Sequence, residues 1–504
     1  MAEPATPTWG LGSRSHPSCS TSVERGNPPS SFGRARAVAT VVASFLLPLP
    51  SVALAEGITL PDPAPTSGSL FGDSLVMHPR WIIVGDRYRR TGPPELLASS
   101  GGLVLWARSA SGLPVGEAME FQPAGLKRSD RFGESMALAG DLLLVGAPGW
   151  DQSTSLQNIG RLHVVDLSGT TPVSLGYVVL DDFGVRQELG GAVAALEEEG
   201  AVTVAVGAPG FVSSGPGQPL GPALGRVQVY RQAGSAWTVE ANYVPPTADH
   251  SCRFGSAVGL SATHVAIGAP GGAASGPATW GRVFLHERID SAPPPTVIAA
   301  PVPTLDDHFG AAIAMRDGLL VVGAPSDECD AGVAHVYRYK RGSWEYEATL
   351  EPPSRGLDGW HGFGNSVGLD RERVIIGTGG VAADGEFGRH AVVFRRAGAA
   401  WQLETTIDGD PSGDGPAAGL ASVDAAGVTI VVPFGGGDAK GALRYDVLPR
   451  SRDLDFNGTV GAPDLALLLG AWGSVGVLPE DLSGDGIVNA MDLALLIGDW
   501  SVRS

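Results

Sequence analysis

The chain has 504 residues, a formal net charge of −19 at pH 7 and 72 glycines. The acidic balance argues against nucleic acid and anionic membrane surfaces as partners, because both carry negative charge themselves. A glycine content this high without a collagen-like period fits an all-β protein that is rich in turns.

Residues 1–55 have the pattern of a secretory signal peptide with an extended amino-terminal region. Arg34 and Arg36 precede eleven apolar or small residues at 37–47, and residues 53–55 form an Ala-Leu-Ala cleavage site. The apolar run is short and is followed by prolines, which disfavours the alternative of a membrane anchor. The sequence predicts a secreted, extracellular or cell-surface protein whose mature chain contains no membrane span.

A motif that begins with Phe-Gly and closes with glycine recurs along the chain. Five copies are regular in their spacing. A sixth copy, from Leu189 to Gly207, is four residues longer than these five, and a degenerate seventh copy runs from about Gly419 to Pro433. Self-similarity at a period of roughly 55–65 residues indicates a repeat architecture. The five regular copies share a spacing of 14 residues: Phe71 to Gly85, Phe132 to Gly146, Phe254 to Gly268, Phe309 to Gly323 and Phe363 to Gly377.

Each copy predicts four antiparallel strands. In residues 131–148, alternating residues precede a tight turn and a continuous apolar run, which predicts a hairpin with a buried second strand. A third strand starts at a glycine such as Gly160, and a fourth often carries a tryptophan such as Trp237. Radial closure buries both faces of such sheets, so we expect an all-β, seven-bladed β-propeller over residues 56–449.

The final copy tests this architecture, because it has no fourth strand of its own. Residues 57–61 resemble a fourth strand and precede Phe71 at a similar spacing. We therefore expect the N-terminal strand to complete the seventh blade and close the ring. The alternative is an open stack of hairpins with a loose N-terminus.

The Phe-Gly to Gly-Ala-Pro repeat resembles the FG-GAP repeat of integrin α-chain propellers and of many secreted bacterial proteins. The resemblance implies an extracellular binding or adhesion function. Integrin-type blades carry Asp-rich calcium loops between their first two strands. Here that connection is a short turn in nearly every copy, and the longer one in blade three carries only Glu197, Glu198 and Glu199, which argues against calcium in the propeller.

Two cysteines, Cys252 and Cys329, remain after removal of the signal peptide. Strand direction places both on one propeller face in adjacent blades. A disulfide between them is therefore one expectation for an oxidising compartment, and two thiols are the other.

The long, variable connections all fall on one face of the predicted propeller, where binding residues concentrate on a rigid scaffold. Three tryptophans on this face are candidates for stacking on a glycan or protein ligand, or else they pack against neighbouring loops: Trp150, Trp280 and Trp360.

Three histidines precede Phe-Gly pairs in consecutive blades, at His250, His308 and His361. Together with the nearby Asp306, Asp307 and Asp358 they are candidates for a shared metal or an acid–base pair near the axis. No catalytic motif such as HExxH or GxSxG accompanies them, so we assign no catalytic residues. The histidines of third strands are predicted to be structural: His163, His286, His335 and His390.

Residues 450–504 form a second repeat, in which residues 453–472 match residues 481–500 at an offset of 28. Both copies have the spacing of an EF-hand loop, with oxygen ligands at alternating positions and glycine at position 6, which suits Ca²⁺. The first loop offers Asp453, Asp455, Asn457, the Thr459 carbonyl and Asp464. The second offers Asp481, Ser483, Asp485, the Ile487 carbonyl, Asn489 and Asp492. The second set is fuller, because Gly461 provides no side chain at position 9 of the first loop.

Each loop leads into one amphipathic helix with no helix before it. This pairing, with Asp at position 12, resembles a type I dockerin over residues 453–500. The resemblance implies two calcium sites and docking to a cohesin-like or other extracellular protein, often in polysaccharide-degrading assemblies. Residues Ala462, Pro463, Ala490 and Met491 stand where the resemblance would place partner contacts.

The sequence favours a secreted, non-enzymatic binding propeller that a calcium-dependent tail attaches to a partner, and that recognises a glycan or a protein. A polysaccharide-associated hydrolase or lyase with its site on the long-loop face is the second hypothesis. A purely structural surface or matrix protein is the third.

Overall fold

The computed structural model describes residues 58–447 and 452–500 with gaps. The gaps are 65–70, 73, 90–98, 110–112, 154–156, 179–186, 213–223, 235, 246–251, 272–279, 289–292, 304–306, 327–330, 354–361, 370–372, 379–389, 399, 409–428, 435–441, 453, 455–459, 476–477, 479, 484–486 and 499. The predicted signal peptide lies outside the described residues.

The fold is a β-propeller whose strands follow one another in chain order within each sheet. Blade one contains β2 (Ser74–His78), β3 (Trp81–Asp86), β4 (Gly102–Arg108) and β5 (Pro114–Phe121). Blade two contains β6 (Met136–Ala139), β7 (Leu142–Gly146), β8 (Leu162–Asp166) and β9 (Val173–Val178). Blade three contains β10 (Ala192–Glu198), β11 (Ala201–Ala208), β12 (Arg226–Ala233) and β13 (Ala236–Tyr243).

The next three blades repeat this order. Blade four contains β14 (Ala257–Leu260), β15 (His264–Ala269), β16 (Arg282–Glu287) and β17 (Thr296–Ile298). Blade five contains β18 (Ala312–Arg316), β19 (Leu319–Ala324), β20 (Val333–Lys340) and β21 (Ser343–Leu350). Blade six contains β22 (Ser366–Leu369), β23 (Arg373–Gly377), β24 (His390–Ala397) and β25 (Ala400–Asp408).

The expectation of seven blades is wrong, because the propeller has six four-stranded blades. The remaining sheet has three strands in the described part of the chain: β1 (Ile58–Pro61), β27 (Ala442–Val447) and β26 (Thr429–Phe434). The seventh copy has no Phe-Gly pair at its start near Gly419, and Pro433 stands where the regular copies have their closing glycine. Its expected first strand falls at 419–428, among the residues left out above.

The N-terminal strand pairs with β27 of the three-stranded sheet, as the sequence predicted. Strand β1 runs antiparallel to β27, with Ile58 opposite Tyr445 and Leu60 opposite Leu443. Leu60 is buried in one hydrophobic cluster with Phe71 and Trp106 of blade one. Strand β1 is therefore tied both to the final sheet and to the first blade.

A buried ion-pair cluster follows β1 and strengthens this tie. The Arg89 guanidinium lies 3.0 Å from the Asp62 carboxylate, 2.7 Å from Glu120 and 3.7 Å from Asp86. Arg89, Asp62 and Asp86 are almost completely buried. Because a buried charge without its partner is costly, these contacts hold the residue after β1 against blade one.

The repeated glycines form the joint between blades. In blade three, the Gly190 amide donates to the Gly207 carbonyl at 2.9 Å, and the equivalent bond is present in all six blades. The closing glycine then contacts the next blade: a β-carbon on Gly146 would lie 2.0 Å from the Gly190 carbonyl oxygen. No side chain fits there. The motif recurs along this chain because its glycines bring the main chains of neighbouring blades into contact.

The first residue of each motif is a hydrophobic wedge beside this joint. The side chains of Phe132, Leu189 and Phe254 are completely buried, and each residue pairs with the third-strand glycine of the preceding blade through an isolated parallel bridge. Burial of such a side chain contributes roughly 1.5–3 kcal/mol. Hydrophobic contact and backbone pairing thus occur at the same end of the sheet at these three joints.

Two short helices follow the propeller, α1 (Ala462–Gly470) and α2 (Ala490–Gly498). Leu468 and Leu496 are completely buried and pack with Val488 in one small core. None of the helices in the described part combines the length and apolar character that a membrane span requires.

Candidate functional site

Two of the three tryptophans predicted on the long-loop face are described, and they differ in what they contact. Trp150 follows the Gly-Ala-Pro of blade two and packs against Arg161, whose guanidinium carbon lies 3.6 Å from the centre of the indole ring. Trp280 is 46 % exposed beside the third strand of blade four. Trp360 lies outside the described residues. One face of the Trp150 ring thus packs against its own blade, which is the alternative to ligand stacking. The Trp280 side chain remains exposed to solvent.

The predicted histidine cluster is only partly covered by the structure. His308 hydrogen-bonds the Ser326 hydroxyl through Nδ1 at 2.9 Å on the surface. Asp307 is buried and its Oδ1 accepts the amides of Gly281 and Phe309, so it holds the blade joint together. A shared site with the remaining predicted members has no support from these contacts. Those members lie outside the described residues: His250, His361, Asp306 and Asp358.

The third-strand histidines are packed structural residues where they are buried. His163 lies against Phe132 at a ring distance of 5.1 Å, and His286 lies against Tyr243 at 4.2 Å. Burial lowers the pKa of His163 to about 3 and that of His286 to about 4. His335 hydrogen-bonds Thr349 at 2.9 Å. All three are therefore parts of the sheets.

The half-buried His390 joins two strands through its main chain, as its amide donates to the Thr378 hydroxyl at 2.7 Å. Cys252 is buried, and its thiol donates to the Leu224 carbonyl at 3.5 Å. Cys329 lies outside the described residues, so the disulfide stays a prediction.

A cluster in blade two combines two aromatic rings with a cation, and sequence reasoning missed all of it except Trp150. Arg161 lies between Trp150 and Tyr177, with its guanidinium carbon 3.6 and 3.8 Å from the two ring centres. Burial lowers the pKa of Arg161. Asp130 lies nearby, and burial raises its pKa to about 6. The sequence signal that could have revealed the cluster is the Gly160-Arg161 pair at the start of the third strand, together with the aromatic Trp150 that follows Gly-Ala-Pro-Gly.

Blade three repeats the arrangement in a closed form. Arg226 follows the third-strand glycine as Arg161 does, and its guanidinium stacks on Phe211 at 4.3 Å. It is completely buried and donates to the Gln187 side chain at 2.6 Å. In that blade the arginine is a structural element, whereas Arg161 is only half-buried.

The second C-terminal loop brings two buried carboxylates to one residue. The Ser483 amide donates to Asp492 Oδ1 at 2.7 Å, and the Ser483 hydroxyl donates to Asp481 Oδ1 at 3.2 Å. Asp481 and Asp492 are both almost completely buried. Two like charges held this close out of water favour a cation beside them.

Asp492 also closes the loop onto its helix, because its Oδ2 accepts the Asn489 amide at 2.7 Å. The Asn489 side chain turns back on its own loop. Its Nδ2 donates to the Ile487 carbonyl at 3.0 Å and its Oδ1 accepts the Met491 amide at 2.7 Å. Asp485 lies outside the described residues.

The first loop repeats this design at Asp464. Its Oδ1 accepts the Leu454 amide at 2.6 Å, and its Oδ2 accepts the Gly461 amide at 2.7 Å. Asp464 is completely buried in the first turn of α1. The other predicted ligands of this loop lie outside the described residues: Asp453, Asp455, Asn457 and Thr459. Within the part that the structure describes, no three His, Cys, Asp or Glu side chains form a metal-binding group.

No protein-family model matches the chain. A search of curated proteins finds no match either. The resemblances to FG-GAP repeats and to dockerins therefore depend on the motifs themselves.

Proposed function

We propose that the protein is a secreted binding module, with an FG-GAP-type propeller at 56–449 that recognises an extracellular glycan or protein. Residues 450–504 form a calcium-binding, dockerin-like tail that docks to a cohesin-like or other extracellular protein. The leader at 1–55 directs the chain out of the cell. The observation that carries the proposal is the convergence of Asp481 and Asp492 on Ser483, in a loop with EF-hand spacing.

The donor set of the second loop fits Ca²⁺, a hard cation that takes six to eight oxygen ligands. Asp481 and Asp492 provide buried carboxylates and the partly buried Ser483 a hydroxyl, at the start of the loop and in the first turn of α2. Asp492 would serve as the position-12 ligand, and its contact with the Asn489 amide orients it from the first turn of α2. When bound, the ion would neutralise the two carboxylates.

The equivalent contacts of Asp464 support a second site in the first loop. In both loops a buried aspartate at position 12 joins the start of the loop to the start of the helix. A cation at each loop would stabilise the folded tail, because binding to the folded state alone shifts unfolding by about 2.7 kcal/mol at a hundredfold excess over Kd.

Calcium titration of the full secreted chain by calorimetry tests this proposal. We expect two bound ions in the wild type, one in Asp492→Asn and one in Asp464→Asn. Asp317→Asn is the matched control, since it removes one carboxylate from an exposed propeller turn. Helical ellipticity is expected to fall with EDTA, because metal-binding free energy is folding free energy in such loops.

Absence of calcium heat, together with unchanged ellipticity in EDTA, would contradict the role of the tail. Glycan and protein arrays probed with the same chain test the propeller. If the arrays retain no ligand, the proposed recognition function is wrong, and the hypothesis of a structural surface or matrix protein is left. No contact among the described residues favours the hydrolase or lyase hypothesis.

A further inference from the structure

We propose that Arg161, held between Trp150 and Tyr177, binds the carboxylate of an oligosaccharide that contains uronic acid. This inference rests on the proposed recognition role of the propeller and names the ligand class and the residues.

The guanidinium of Arg161 is fixed in place but its donors are not used. Its guanidinium carbon lies 3.6 Å from the centre of the Trp150 ring and 3.8 Å from the centre of the Tyr177 ring. Among the residues that the structure describes, no side chain or carbonyl accepts a hydrogen bond from it and no carboxylate lies within ion-pair distance. A guanidinium stacked on aromatic rings keeps its N–H groups in its own plane, where they suit a planar acceptor that approaches its edge.

This combination suits a carboxylate. Arginine binds carboxylates with two parallel N–H to O bonds, and such charge-assisted bonds are about twice as strong as neutral ones. Rigid stacking removes most of the side-chain entropy that a free arginine would lose on binding. The Arg161 side chain is therefore already ordered before a ligand binds, which improves affinity without additional contacts.

Blade three has an arginine at the same repeat position, but there it is closed off from solvent. Arg226 occupies the same repeat position, is completely buried and has a protein acceptor in Gln187. In blade two, Tyr177 is 48 % exposed and Arg161 half-buried, so the equivalent position opens to solvent.

The flanking rings favour a sugar as the carrier of the carboxylate. A sugar ring has apolar faces and polar edges, so it can contact aromatic rings and a neighbouring guanidinium together. The buried Asp130 carboxylate is near the guanidinium without pairing with it, and the net charge of the chain is −19. Both oppose a long polyanion, so the site fits one uronate residue of a short or sparsely charged oligosaccharide.

The test is isothermal titration of the full chain with three probes: trigalacturonate, its fully methyl-esterified form and an acetylated triglutamate peptide. We expect trigalacturonate to bind and the ester, which keeps the rings but loses the charge, to bind at least tenfold more weakly. Arg161→Gln is expected to weaken trigalacturonate binding about tenfold or more, and Arg161→Lys to recover only part of the loss.

Arg282→Gln is the matched control, because Arg282 follows the third-strand glycine of blade four and lies in a different blade. It is expected to bind trigalacturonate as the wild type does. Thermal unfolding of each variant confirms that the propeller is intact, and Trp150→Leu offers a second disruption of the sandwich that keeps the charge.

Equal affinity of wild type and Arg161→Gln for trigalacturonate would overturn the proposal, as would equal affinity for the ester. Binding of the peptide without binding of trigalacturonate would overturn the choice of a sugar. Failure of all three probes, with a ligand retained on the arrays, overturns this inference and leaves the proposed function intact.

Discussion

Replacing Gly146 with alanine is expected to destabilise the joint between blades two and three. The added β-carbon would lie 2.0 Å from the Gly190 carbonyl oxygen and 2.5 Å from the Ser135 hydroxyl. The serine can rotate, but the carbonyl belongs to the main chain of the next blade. Relief therefore requires the two sheets to separate by roughly 1 Å, and overpacking of this kind costs about 1–3 kcal/mol or more.

Thermal unfolding and urea unfolding measure this effect. A cooperative unit of roughly 400 residues has an unfolding entropy near 0.8 kcal/mol/K, so a loss of about 3 kcal/mol lowers Tm by about 4 °C. Gly169→Ala is the matched control, because the nearest atom to its β-carbon would be the Thr171 carbonyl oxygen at 3.4 Å, an ordinary contact. If Gly146→Ala unfolds at the same midpoint as this control, the proposed role of the closing glycine is wrong.

Three further changes test other parts of the account. Asp62→Asn removes a carboxylate charge from the buried Arg89 and is expected to lower the free energy of unfolding in urea by about 3–5 kcal/mol. Asp141→Asn, at an exposed ion pair, should lower it by less than about 1 kcal/mol. Similar losses in the two variants would contradict the stabilising role of the buried Arg89 cluster. The native pKa of His286 is about 4, so the unfolded state binds more protons below pH 6.5 and stability falls as the pH decreases from 6.5 towards 4. His286→Gln should flatten that slope in urea midpoints, and an unchanged slope would assign the acid sensitivity elsewhere. Terbium luminescence excited through tryptophan should report two C-terminal sites that Ca²⁺ displaces, and Asp481→Asn should remove one of them; full retention of both would argue against the second loop.

The sequence predicted the propeller because its motif residues each have one geometric task. Phe132 and its equivalents are buried wedges, and Gly146 and its equivalents contact the neighbouring main chain, so their spacing reports directly on the sheets. Pairing of Ile58 with the last sheet followed from counting strands. The count of seven blades failed because copies that lack these residues do not carry the same information.

The candidate site was harder to predict, because it depends on which side chains meet across a blade. Trp150 was visible in the sequence, but its contact with Arg161 joins residues from two sides of a loop, and Tyr177 comes from the outer strand. Whether an arginine at this repeat position is buried like Arg226 or open like Arg161 is decided by its neighbours, and periodicity does not contain that information.

Pairing of the N-terminal strand with β27 is the claim that ties the start of the described chain to its last sheet. Hydrogen–deuterium exchange of the full chain, resolved to single strands, tests it directly. The account predicts that the amides of Ile58, Thr59 and Leu60 are protected and exchange together with those of β27. Rapid exchange of that segment, while the six four-stranded blades stay protected, would contradict it.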